Sequence, residues 1–367
     1  MMMNSILLRL FTKPKQAIDL TNTEWTHVLT HGRNQNMLGR LYAKLKSAGL
    51  SEQLPQNVIT HMTNCEKTEQ RQRINIDREL KEISNALSEK HVNGVVLKGA
   101  AYSLLELRCA DGRIFNDIDV LVAHSDLRKA EIGLMTKSWF HTKENDYDKR
   151  YFREWMHEIP PMVHKVRHTT IDLHHNILPL TNRQHFSSDL LKREKTQYDG
   201  LYVLTPVDRF IHSAVHLFTE SEFPHAIRDL TDLILLFEDV EASLESTSTT
   251  AEQVILLRSD ELNLNNYIQL AIYFVLFHKE KDKSSSIKAL LCKSAVTRLL
   301  TLPSYQIVFD QDCAVPTKLS HKLALLWLMI RSHLIKMPLR ILIPHLVRKF
   351  IFNTKKRFSD EEKQHLQ

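Results

Sequence analysis

The run NDIDVLV, from Asn116 to Val122, places two aspartates one residue apart inside an otherwise apolar stretch. No other feature constrains the fold as strongly. In a strand, residues i and i+2 share a face, so Asp117 and Asp119 point one way while Ile118, Val120 and Val122 point the other. Neighbouring like charges repel, and each is costly to desolvate, so the pair at a buried strand end needs a counter-cation. Magnesium takes oxygen ligands and leaves room for waters or phosphate oxygens, which suits carboxylates at the rim of a sheet. Read alone, the pair fits a solvated turn or cap equally well. The surroundings shift the balance.

Upstream, GVVLKG ends in a glycine before the helical AAYSLLEL, so Gly99 marks a strand-to-helix turn whose backbone N–H groups can face an anion. Downstream, TTIDLHHNI supplies a further strand with Asp172 between Ile171 and Leu173. Alternation puts His174 on the face of Asp172 and His175 on the other. His174 fits a ligand-orienting or substrate-touching role and a structural hydrogen bond equally well. Arg113 has the planar fork that suits phosphate oxygens, and a salt bridge to a loop carboxylate accounts for it as well. His212 and His216 stand at i and i+4, but no Glu makes an H-E-x-x-H pattern, so they read as core or capping histidines. Asp229 and Asp232 read as helix-surface or capping residues.

The 367 residues divide by pattern into a helical lead-in over 1–90, an α+β core over 91–205 and a helical region over 206–367. Thr21 or Thr23 is the candidate N-cap of an early helix. Core strands are expected in GVVLKG, IDVLVA, TTIDLHHNI and LYVLT, with a helix over SDLRKAEIGLMTKSW. The EASLESTSTTAEQ stretch breaks the later helices. With 8 Gly and 11 Pro the chain is neither collagen-like nor low-complexity, and its net charge of +6 sets only a mild preference for anionic ligands. The four cysteines are widely spaced without a C-x-x-C pair, which excludes a zinc ribbon and suits a reducing cytoplasm. No secretory signal is expected at the N-terminus, and no run of 18 apolar residues occurs. The basic, apolar segment 323–352 leaves a membrane-surface contact open beside packing against the core. Pro338 and Pro344, expected to break it into short helices, favour packing.

Leu97-Lys98-Gly99-Ala100-Ala101, Arg113, Asn116 to Val122, and Ile171-Asp172-Leu173-His174 together resemble the DNA polymerase β-like nucleotidyltransferase superfamily. Within it, the chain is most similar to an uncharacterised nucleotidyltransferase family with an LKGAA start, a DIDVLV strand and an acidic residue plus His in its third motif. The resemblance covers roughly residues 90–240. It implies a polymerase β-like core, a small mixed sheet with helices, flanked by N- and C-terminal helical regions. It also implies transfer of a nucleoside monophosphate from a triphosphate such as ATP to a hydroxyl-bearing acceptor, with two magnesium ions held by Asp117, Asp119 and Asp172. Lys98, Gly99, Ala100, Arg113 and His174 then contact the nucleotide, and His157 with Glu158 border the acceptor. The superfamily more often has Gly-Ser at the first motif; here Ala100 follows Gly99, so Lys98 or backbone amides must replace the hydroxyl.

Three function classes follow. The first is a transferase acting on a small molecule, saccharide or protein side chain, and the second a catalytically silent nucleotide-binding scaffold on the same fold. The third, a nucleic-acid-modifying transferase, is disfavoured because no basic stripe interleaved with aromatics is present.

Overall fold

The computed structural model describes residues 5–142, 146–244, 248–279, 288, 291, 294–310 and 318–349. Helices precede the first strand. Thr21 caps the Asn22–Asn34 helix through a capping box, its hydroxyl accepting from the Glu24 N–H while the Glu24 carboxylate accepts from the Thr21 N–H. The long helix Gln56–Ser88 then delivers the chain to the sheet.

Seven strands follow: β1 (Gly94–Val96), β2 (Asp117–Val122), β3 (Trp139–His141), β4 (Met162–His164), β5 (Thr170–His174), β6 (Arg193–Lys195) and β7 (Leu201–Leu204). Their order is β3-β4-β5-β2-β1-β7-β6. β2 runs parallel to β5 and β1 parallel to β7, while the other pairs are antiparallel, so the sheet is mixed. This is the expected α+β architecture. Parallel neighbours need a crossover, and residues 123–169 supply one, with the Leu127–Thr136 helix and the β3–β4 pair lying between β2 and β5. That detour explains the long gap between Asp119 and Asp172.

The strands β3, β4 and β6 were not expected from the sequence. Each has three residues and sits toward an edge, where backbone pairing suffices and polar residues such as Arg193-Glu194-Lys195 are tolerated. Beyond the sheet, helices Pro206–Thr219, Ala226–Ser243, Ala251–Glu261 and Asn265–His278 pack on one another. The Ser/Thr-rich break ends at Thr250, which caps the third of these with Gln253; residues 245–247 of that break lie outside the described residues. Pro338 separates the Leu319–Lys336 helix from a helix over 339–349, but Pro344 does not break the latter. Pro344 is exposed, so water can satisfy the carbonyl that its missing N–H leaves free.

One buried apolar cluster runs from Ile6 to Leu328 and includes Trp25, Val95, Leu173, Phe210 and Phe274. A close backbone crossing ties the N-terminal helices to the loop before β2. A Cβ on Gly39 would lie 2.5 Å from the Gly112 carbonyl oxygen, and Gly112 itself has φ +64°. Only glycine fits at either position. Among the described residues, no helix is long and apolar enough to cross a membrane.

Candidate functional site

The carboxylates are brought together by strand register. Asp119 on β2 stands opposite Asp172 on β5, and Asp117 opposite Thr170. Neighbouring strands lie about 4.8 Å apart, so the two carboxylates share one face and one edge of space. On the other side of β2, the Leu97 N–H donates to the Asp119 carbonyl (3.0 Å), after which the chain turns into the short helix Lys98–Leu104.

At that turn Lys98 adopts φ +44°, a left-handed conformation that costs a non-glycine residue about 1–2 kcal/mol. The lysine ammonium donates to Asp119 Oδ1 at 3.0 Å. Gly99 sits at the expected strand-to-helix turn, but the positive φ belongs to Lys98. Gly99 is required for space instead. A Cβ there would lie 2.8 Å from the Phe115 ring and 3.2 Å from Arg113 Nε. The Ala100 side chain is buried in the core, so only its backbone faces the turn.

Asp119 is 4% exposed, and burial alone would raise its carboxyl. The Lys98 charge and a 2.9 Å hydrogen bond from His174 Nε2 outweigh that, holding it far below the usual carboxylate range. For His174, burial opposes protonation, but Asp119 on one ring nitrogen and Glu158 3.5 Å from the other raise its pKa. For Asp172 the lowering influence is that of His174, and it is weaker than each of those that raise the carboxyl. Burial and then the charges of Asp119, Glu158 and Asp117 push its carboxyl up to about 7. Its Oδ1 is buried without a hydrogen-bond partner among the described residues. Asp117 is raised by burial and by Asp119. The orphaned Asp172 oxygen and the two carboxyls that resist ionisation suit a divalent cation such as magnesium, but among the described residues the three that bring ligand atoms within 4.8 Å of one another are His157, Glu158 and His174, not the three aspartates.

His157 and Glu158 were singled out in the sequence only through resemblance. The structure places them beside the carboxylates by backbone pairing: Glu158 forms an isolated antiparallel bridge with His174, and the His175 N–H donates to the His157 carbonyl at 2.8 Å. His157, Glu158 and His174 offer ligand atoms within 4.8 Å of one another. Burial and the neighbouring His174 push His157 well below its ordinary value. His175 faces the other way, edge-on to His124 with ring centroids 4.8 Å apart.

Arg113 spends its guanidinium on Asp232, with Asp229 3.9 Å away. The salt-bridge partner lies on the Ala226–Ser243 helix, not on a loop. Asp232 is also paired with Arg40 at 2.6 Å and is 2% exposed, which corrects its reading as a surface or capping residue. Arg40 further donates to the Thr231 hydroxyl (2.7 Å) and to the Cys109 carbonyl. Asp229 pairs with Arg228 at 2.8 Å. A pocket of about 200 Å³ joins these groups to Asp117 and Asp119, lined also by Lys98, Gly99, Arg113 and Arg228; Asp172 and His174 are not part of its lining. A larger cleft of about 870 Å³, between the Asn182–His185 loop and the Asn265–His278 helix, contains none of the carboxylates. His212 is buried and pushed down to about 3 by that burial and by Lys98; it joins no cluster of metal-ligating groups among the described residues.

A family model described as an uncharacterised nucleotidyltransferase matches residues 21–275. No curated protein and no solved structure matches the chain. The matched span starts at the Thr21 cap, takes in all seven strands and ends within the Asn265–His278 helix.

Proposed function

Because the chain belongs to the uncharacterised nucleotidyltransferase family, we propose that it transfers a nucleoside monophosphate from a triphosphate to a hydroxyl-bearing acceptor, with two magnesium ions held by Asp117, Asp119 and Asp172. The observation that carries this reading is Asp172: a half-buried carboxyl opposite an ionised one, with one buried oxygen that has no partner among the described residues and a pKa pushed up to about 7. Bound magnesium would supply charge stabilisation at the attacking and leaving oxygens and lower the pKa of the acceptor hydroxyl.

The chain's own groups divide the remaining work. Asp172, poised near neutrality, takes the proton of the acceptor hydroxyl. His174, held between Asp119 and Glu158, fixes the orientation of Asp119. Lys98 lines the pocket and offers its charge to triphosphate oxygens, and the backbone amides of Gly99 and Ala100 would meet the phosphates at the turn, where the missing side chain of Gly99 makes room for the Phe115 ring. Arg113 borders the same pocket with its charge committed to Asp232, so it shapes the wall and meets phosphate only at its rim. The acceptor class we favour is a small molecule, saccharide or protein side chain. Free Cys65 and Cys109 suit a cytoplasmic setting.

One observation favours the scaffold reading: Asp119 Oδ1 is already satisfied by Lys98 and His174. Incubating the protein and an Asp172→Asn variant with magnesium, each labelled triphosphate and a cell extract separates the two. Label transferred by the wild type and not by the variant supports the transferase; triphosphate binding without any labelled product makes the protein a scaffold.

A further inference from the structure

Residues 318–349 carry a feature that the proposed reaction does not use. The Leu319–Lys336 helix turns Ala324, Leu328 and Ser332 into the core. Its outer side shows Leu319, Leu323, Leu326 and Ile330, between 41% and 72% exposed. These positions, i, i+4, i+7 and i+11, form one stripe of a helix. The helix over 339–349 repeats the arrangement: Leu342 and His345 are buried, while Leu339, Ile343, Leu346 and Val347 are 44–56% exposed.

The second helix is docked on the body of the protein. The His345 ring stacks on Tyr151 with centroids 4.4 Å apart, and the Arg348 guanidinium lies 4.1 Å over the Tyr147 ring. Its inner side is therefore occupied, and the apolar stripe is the side left to solvent. Singly exposed leucines are ordinary; two consecutive helices that each expose a stripe of four aliphatic side chains are not.

Charge decides what covers the stripe. From Lys318 to Lys349 the chain has seven Lys and Arg residues and no Asp or Glu, whereas the whole chain holds 49 basic and 43 acidic residues. Lys318, Lys322, Arg340 and Lys349 are exposed on the same two helices or at their ends, whereas Arg348 is engaged with Tyr147. A second copy of this chain would bring the same cations face to face, which is repulsive. Nucleic acid would want aromatic platforms in place of aliphatic stripes. A bilayer with anionic headgroups accepts both: aliphatic side chains enter the headgroup–acyl boundary while Lys and Arg meet the phosphates. We propose that the face formed by residues 318–349 docks on an anionic lipid surface. Of the segment 323–352 singled out in the sequence, residues 350–352 lie outside the described residues.

The test uses the full-length chain and sedimentation with phosphatidylcholine vesicles, with and without phosphatidylserine, at low and high salt. Docking predicts binding only to the phosphatidylserine vesicles and its loss at high salt. Lys322→Glu and Arg340→Glu should each weaken it, about fivefold for each positive charge removed. Leu323→Gln with Ile343→Gln should weaken it at least about tenfold, with unchanged circular dichroism and melting because both sites are exposed. Failure to bind, or binding that ignores phosphatidylserine, salt and these variants, overturns the proposal. So does self-association that L323Q/I343Q abolishes while vesicles are ignored, which would assign the face to a second copy. Vesicle binding needs neither triphosphate nor metal, so this result stands apart from the transferase assay.

Discussion

Asp119 and Asp172 stand opposite each other on neighbouring parallel strands, yet their carboxyls are held in opposite states. Lys98 and His174 keep Asp119 ionised, while burial and the surrounding negative charge bring Asp172 up to about 7. A carboxylate pair so divided is a common way for one site to hold a fixed charge beside an exchangeable proton.

Asp172→Asn should stabilise the metal-free protein at alkaline pH. A carboxyl whose folded pKa is raised favours the fold in its protonated form, so its contribution is complete below 3.8 and is lost as pH rises through about 7. The variant, which cannot ionise, should melt a few degrees above wild type at pH 8, and the gap should narrow through pH 5 and close below pH 4. Thermal melts without divalent ions measure this, and equal melting temperatures at pH 8 would contradict the buried-acid assignment.

Asp119→Asn should do the reverse. Its depressed pKa means that its stabilisation is present above the unfolded value and is lost as pH falls. At neutral pH the substitution leaves Lys98 and His174 without their counter-charge, at a cost of roughly 3 kcal/mol. Adding Lys98→Met should recover part of the loss in a double-mutant cycle read by urea denaturation. Additive losses would show that the Lys98–Asp119 pair is not coupled.

Magnesium affinity should climb with pH between 6 and 8, because binding requires the proton on Asp172 to leave. Calorimetry in buffers of differing ionisation heat should record close to one proton released per binding event at pH 6 and little at pH 8. Affinity that is flat across this window would remove Asp172 from the metal set.

At the turn, the two neighbours should separate strain from space. Gly99→Ala puts a Cβ against the Phe115 ring and should cost about 1–3 kcal/mol, partly restored by Phe115→Leu. Lys98→Gly should relieve about 1 kcal/mol of backbone strain relative to Lys98→Ala. Both Lys98 variants should bind a fluorescent triphosphate more weakly than wild type, and the difference should shrink at high salt. Unchanged affinity in folded Lys98→Ala would take the lysine out of the nucleotide site.

What could be read from the chain was whatever depends on alternation and local order. Period two placed Asp117 with Asp119 and His174 with Asp172, and apolar runs marked the central strands β1, β2, β5 and β7. What depends on distant partners could not be read. The positive φ falls on Lys98 because its side chain must reach Asp119 across the sheet, and no local signal marks a lysine for that conformation. Asp232 looked like a surface residue because its two arginines lie far away in sequence, at positions 40 and 113. Glu158 joins the site through a single bridge to His174, too short to leave a strand pattern.

The crossing of Gly39 with Gly112, together with Arg40 reaching Thr231 across 191 positions, also bears on the order of assembly. Chains emerge from the ribosome N-terminus first, and contacts between distant segments form slowly. The strand bearing Asp117 and Asp119 is made long before β5 and before the helix that brings Asp232 to Arg40 and Arg113. A nascent chain must therefore hold Arg40 and Arg113 without Asp232, and Asp119 with Lys98 but without His174. During that interval the unfinished sheet edge is exposed to mispairing, and a chaperone that shields it would act before residue 243 is synthesised.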